Sequence, residues 1–98
     1  MEVHEILNLI INKRLDLIGN IIVEQFWFSS DDIVVATLGS KDVVCAPILY
    51  YKIIGNGALQ ILDDSGSIYY EWTSIELKSN ILEVDCNGTR KKFSISDA

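Results

Sequence analysis

The sequence predicts an α+β protein in which an N-terminal helix packs on a curved antiparallel sheet, or a partial barrel, of about six to seven meander strands. Three observations predict it. Residues 2–18 carry an apolar stripe of helical period through Val3, Ile6, Leu7, Ile10, Ile11, Leu17 and Ile18. From residue 21 to 96, short runs rich in β-branched and aromatic residues alternate with clusters of Gly, Asn, Asp and Ser. The connections are short, and parallel strands would need long crossovers, so neighbours should be antiparallel.

Each element has its own signal. Glu2 and Glu5 suit the positive end of a helix dipole, Lys13 and Arg14 suit its later turns, and Gly19-Asn20 offer a left-handed stop. The apolar stripe needs a partner, so the helix should cover one sheet face or plug a small partial barrel. Residues 21–28 and 33–38 read as strands joined by Ser29-Ser30-Asp31-Asp32. After Gly39-Ser40-Lys41-Asp42, residues 43–54 form one long strand in which Pro47, lacking a donor, marks an edge or a bulge. Gly55-Asn56-Gly57 turns the chain into residues 58–62, and Asp63-Asp64-Ser65-Gly66 turns it into residues 67–78. In that last run Ile68, Tyr70 and Trp72 share one parity and Ile75 and Leu77 the other, which a bulge near Thr73-Ser74 would reconcile.

The sharpest local signal is Asn87-Gly88 between two strands. A two-residue turn needs positive φ at both central positions, which Asn and Gly tolerate. The register that follows pairs Cys86 with Thr89, Asp85 with Arg90, Glu83 with Lys92 and Leu82 with Phe93. Opposite charges then meet on one face and apolar groups on the other.

Composition narrows the function. The 98 residues suit one domain, 1–98, and 49% hydrophobic content excludes disorder by composition. A net charge of −6 disfavours nucleic acid and anionic membranes and favours basic partners. No apolar run approaches a membrane span, and Met1-Glu2-Val3-His4-Glu5 lacks a basic leader, so a cytoplasmic protein is expected, with Cys45 and Cys86 as reduced core thiols. Asn87-Gly88-Thr89 matches a glycosylation pattern by chance.

No catalytic or cofactor set is expected. His4, the single histidine, has no converging partners, and two separated cysteines with one histidine cannot make a structural zinc site. Asp31-Asp32 and Asp63-Asp64 lack the alternating oxygen ligands of a calcium loop. The apolar flank of Cys45 and the absence of a cation next to Cys86 argue against a reactive thiol. Glu24 and Glu71 are the acids that alternation could place inside a cavity.

The aromatic residues are more informative. Phe26, Trp27 and Phe28 occupy both faces of one strand, Tyr50-Tyr51 both faces of another, and Tyr69-Tyr70 with Trp72 both faces of a third. A sheet covered on one side needs only one aromatic row. The second row packs under a loop, lines a pocket, or forms a contact surface for another chain.

Leu17-Ile18-Gly19-Asn20-Ile21, followed by a meander, and the later Tyr70-Glu71-Trp72, Leu77, Asn80, Leu82 and Phe93 resemble the pattern of lipocalin-like proteins over residues 17–95. Ile21 stands where that family carries a tryptophan, and the chain is too short for a full eight-stranded calyx with a long helix. The resemblance implies a small-molecule carrier with a pocket lined by Trp27, Tyr51, Tyr70 and Trp72. In size, acidity and lack of catalytic groups the chain is also similar to bacterial immunity proteins, which neutralise a cognate toxin. That likeness implies a protein-binding inhibitor of a basic toxin such as a nuclease. Its candidate contacts are Asp31, Asp32, Asp63, Asp64, Glu71, Tyr69, Tyr50 and Trp72.

Overall fold

The computed structural model describes residues 2–19, 22–40, 42–55 and 57–97. One helix, α1 (Val3–Ile10), precedes nine strands: β1 (Lys13–Leu17), β2 (Val23–Phe28), β3 (Ile33–Gly39), β4 (Val44–Cys45), β5 (Ile48–Ile54), β6 (Ala58–Leu62), β7 (Ile68–Lys78), β8 (Ile81–Cys86) and β9 (Thr89–Asp97). All pairings are antiparallel, and β1 lies between β2 and β9 while β2 also pairs with β3. Eight strands therefore close into an up-and-down barrel, and β4 is a short arm on the far end of β3.

This corrects the expected α+β fold of six to seven strands. The helix does not run from residue 2 to 18. It ends at Ile10, where Ile11 turns extended (ψ 133°) and Asn12 takes a left-handed φ of 61°. Asn tolerates that conformation at small cost. The Asn12 amide then donates to the Phe28 carbonyl at 2.8 Å, which binds the chain into the barrel wall. Leu15 and Leu17 fit a helical stripe, but they also alternate with Arg14 and Asp16, and the sheet wins because two neighbouring strands hydrogen-bond this segment. Gly19 (φ 74°) serves the β1–β2 connection instead of a helix cap. The short helix leaves enough chain for eight strands, so the chain was not too short for a closed calyx. Asn20, Ile21, Lys41 and Asn56, assigned above to turns and a strand start, lie outside the described residues.

Other expectations are met. The final hairpin pairs Cys86 with Thr89, Asp85 with Arg90, Glu83 with Lys92 and Leu82 with Phe93, with Asn87 at φ 52° and Gly88 at φ 82°. The β7–β8 register shifts between Thr73 and Glu76, with Ser74 at φ 47°, so a bulge corrects the parity there. The single strand expected over residues 43–54 is instead divided at Ala46-Pro47 into β4 and β5, which keep the same register against β3, through Leu38↔Cys45, Val35↔Ile48 and Ile33↔Tyr50. Only its hydrogen bonding lapses, at Pro47. That residue accepts from the Ala36 amide at 3.1 Å and has no donor to return. The arm lies so close to β3 that a Cβ on Gly39 would stand 2.1 Å from the Val43 carbonyl oxygen.

An eight-stranded barrel is just wide enough to be filled by side chains. Phe26 packs edge-on against Trp72 at 5.2 Å between centroids and against Phe93 at 5.7 Å, and Phe28 meets Tyr51 at 5.0 Å. Leu15, Ile61, Leu82 and Val84 fill the remaining space. Val3, Ile6 and Ile10 of α1 close one barrel end over Leu59, Trp72, Ile75 and Leu82, leaving a void of only about 10 Å³. No helix among the described residues is long and apolar enough to cross a membrane.

Leu15 tests the reassigned strand. It is fully buried, so Leu15→Ala should lower stability by about 2–5 kcal/mol, read as a lower urea midpoint at unchanged slope. An unchanged midpoint would remove β1 from the core.

Candidate protein-interaction face

Strand alternation sorts the aromatic residues into two sets. Phe26, Phe28, Tyr51, Tyr70 and Trp72 point inward and join the core. Trp27, Tyr50 and Tyr69 point outward. Cross-strand partners share a face, so the registers trace two outer rows. One runs Arg14, Trp27, Val35, Ile48, and the other Ile33, Tyr50, Leu62, Ile68. Ile48 is 62% exposed, Ile68 56%, Tyr69 45% and Tyr50 41%. Beside Trp27 and Val35 lies a shallow depression of about 300 Å³, bordered by Arg14, Gln25 and Thr37. An apolar patch of this kind on one side of a barrel is the surface form expected of a contact site.

The acidic turns flank it. Up-and-down connectivity puts Asp31-Asp32 and Asp63-Asp64 at opposite barrel ends. Strand tilt nevertheless carries the row Ile33–Tyr50–Leu62 from one end toward the other, with Asp32 next to Ile33 and Asp63 next to Leu62. Ser29 fixes the first turn: its hydroxyl donates to the Ile33 carbonyl and accepts from the Asp31 amide. The Asp63 carboxylate is used by its own turn, accepting from the Ser65 hydroxyl at 2.6 Å and from the Ser65 and Ser67 amides at 2.9 Å. Those bonds, the Ser65 hydroxyl first, hold its carboxyl below the usual range. Asp64 stays exposed beside it. Glu71 lies on the outer face, accepting from the Gln60 amide group at 2.8 Å. Trp72 is 1% exposed, a core indole out of a partner's reach.

The opposite outer wall is a charge lattice. Arg90 donates to Asp85 at 3.1 Å and reaches Glu83 and Glu76, while Lys78 bridges Glu76 and Glu83. Lys13 pairs with Asp97 and Arg14 with Asp16. Among the described residues, Asp31, Asp32, Asp42, Asp63, Asp64 and Glu71 form no ion pair. The ion pairs of Lys78 and Arg90 thus gather on one half of the barrel, and acids without an ion pair border the apolar half, where Lys52 of β5 is exposed as well.

Of the two acids that alternation could place inside, Glu71 faces outward and Glu24 lies within; what the sequence did not reveal is the partner of Glu24. Glu24 is 5% exposed and points into the barrel, where the Lys91 ammonium donates to both its oxygens at 2.8 and 3.1 Å. Lys91 also sits 5.4 Å from the centre of the Tyr70 ring. The inward parity of Glu24 with Phe26 and Phe28 was the available signal for the acid; no motif announces its distant partner. Burial, then the Glu24 carboxylate, pushes the Tyr70 phenol up to about 12. Of the two cysteines expected in the core, Cys86 is buried, and burial pushes its thiol up, whereas Cys45 is exposed on β4. The pocket residues implied by the lipocalin likeness do not line one chamber: Tyr51, Tyr70 and Trp72 pack in the filled interior, and Trp27 faces outward. Among the described residues no group of three or more His, Cys, Asp or Glu is placed to hold a metal ion.

Comparison with protein-family models, with curated proteins and with solved structures finds no match for this chain.

Two predictions follow from the interior charges. Lys91→Ala strands Glu24 and should cost roughly 3 kcal/mol, whereas Glu24→Gln with Lys91→Met should cost less, both read by urea unfolding. The second concerns alkali. A tyrosine of the unfolded chain ionises near ~10, and in the fold Tyr70 holds its proton to about 12. The unfolded chain therefore loses that proton first, and stability should fall as pH rises through this window. Tyr51, raised by burial and by Asp32 and Asp31, adds to the slope. Tyr70→Phe should make the decline shallower, and an identical decline would remove Tyr70 as a cause.

Proposed function

We propose that this chain is a protein-binding module that docks a basic partner on the apolar outer face of β2, β3, β5, β6 and β7. One observation carries the reading: exposed Ile48, Tyr50, Ile68 and Tyr69 lie together, bordered by the acids Asp31, Asp32 and Asp64, which form no ion pair among the described residues, while Lys78 and Arg90 are engaged with acids across the barrel. In its most concrete form the module is an immunity-type inhibitor that occludes a basic toxin such as a nuclease. Small size and a net charge of −6 support that form. The acids would draw the partner in by long-range attraction, and the aromatic row would then be buried against it. The carrier alternative draws no support from an interior filled by aromatic rings.

Co-purification from the native host, followed by binding kinetics, tests the reading. Association should slow as salt rises, and Asp31→Asn with Asp32→Asn should slow it further. Tyr50→Ala should instead speed dissociation, at a cost of about 1–4 kcal/mol if this tyrosine is an anchor. Recovery of a tightly held small molecule with no protein partner would restore the carrier alternative. Turnover abolished by a single carboxylate substitution would replace both readings with an enzyme.

A further inference from the structure

The barrel wall has a notch. β4 and β5 continue in one register against β3, but β6 pairs with β5 only as far as Leu62, opposite Tyr50. In an antiparallel ladder, successive residues send their N–H and C=O groups to opposite flanks. Pro47 accepts from Ala36, the Tyr51 amide donates to the Asp32 carbonyl, and Val43 accepts from Ser40, so the odd-numbered residues of this stretch face β3. The N–H and C=O groups of Val44 and Ala46 face the other way, toward the flank that β6 has left. Among the described residues β4 has β3 as its one neighbouring strand. Side chains at this edge are exposed, Val43 at 74% and Val44 at 49%. An open edge with exposed valines is a template for another strand.

We propose that the partner adds an extended segment of its own to this edge, hydrogen-bonding to Val44 and Ala46 and continuing the barrel sheet. The segment alternates apolar side chains, to cover Val44 and Ile48, and carries Lys or Arg near its ends, facing Asp42 on one side and the Asp63-Asp64 turn on the other. Charge selects this occupant over a second copy of the chain, since two copies would each bring a net charge of −6. The inference rests on the reading of the chain as a protein-binding module, and it specifies main-chain pairing where that reading needs only a side-chain face.

The edge supplies backbone bonds, which tolerate sequence, so a defined peptide is an adequate probe. We would use a synthetic heptapeptide of alternating valine and threonine with lysine at both ends, titrated to millimolar concentration into the full chain and followed by NMR. Saturation should slow amide exchange at Val44 and Ala46 by about tenfold. Val44→Pro removes a donor that β3 does not use, so it should weaken binding by about tenfold with the barrel spectrum otherwise kept. If that variant fails to fold, the same peptide N-methylated at alternate residues takes its place and should bind about tenfold more weakly to the unaltered chain. Equal binding of the methylated and plain peptides, or shifts confined to Trp27, Tyr50 and Tyr69, would overturn strand addition and leave the side-chain face standing. No binding at millimolar peptide would overturn it as well. A concentration-dependent dimer abolished by Val44→Pro would assign the edge to a second copy and overturn the proposal of a basic partner.

Discussion

Everything in this molecule depends on one closure, the insertion of β1 between β2 and β9. Leu15 pairs with Phe26 on one flank and with Ile95 on the other, while Leu17 meets Phe93. Without that stave the sheet would have two long edges, and its aromatic interior would open to water. With it, the wall closes on itself and the apolar core of Phe26, Phe28, Trp72 and Phe93 is buried. Closure also explains why the helix is short. The residues that might have lengthened it gain more from two ladders of hydrogen bonds than from two further helical turns.

Closure in turn makes the outer surface the place where differences between sides can accumulate. The interior is packed with aromatic rings, and the buried charge pair Glu24 with Lys91 is satisfied within the barrel. Outside, β7, β8 and β9 hold interlocked opposite charges around Arg90. The wall from β2 to β7 through β3, β5 and β6 holds exposed apolar and aromatic groups instead. A barrel with one polar and one apolar wall is oriented with respect to anything it meets. Beside the apolar wall, the early end of β6 leaves part of the β4 edge uncovered.

Much of this was legible in the sequence where the signal was local. Asn87-Gly88 fixed a register because only a few residue types accept positive φ in succession, and the parity break at Thr73-Ser74 exposed a bulge. The double aromatic rows at residues 26–28, 50–51 and 69–72 showed that both sides of the sheet carry apolar groups. The same chain was misread where two periodicities overlapped. Leu15 and Leu17 satisfy a helical stripe and a strand alternation alike, and the contest is settled by Phe26 and Phe93, far away in sequence. The Glu24–Lys91 pair was hidden for the same reason. Trp72 was placed on the surface because a tryptophan beside tyrosines reads as a contact residue, whereas its parity with Tyr70 sends it inward. The edge at Val44 and Ala46 depends on where β6 stops, and no residue near the arm records that.

The pairing of β1 with β9 has a consequence for how the molecule comes into being. Lys13 lies opposite Asp97, so the contacts that complete the wall join the first strand to the last. Such closures carry a high loop entropy and form late, after local hairpins such as the one at Asn87-Gly88. During synthesis, β1 would leave the ribosome early and wait for its second neighbour until nearly all the remaining strands had followed. For that interval its apolar residues and free edge are exposed to any other nascent chain. The charged residues Lys13, Arg14 and Asp16, which flank and interrupt Leu15 and Leu17, discourage unwanted pairing while the strand waits.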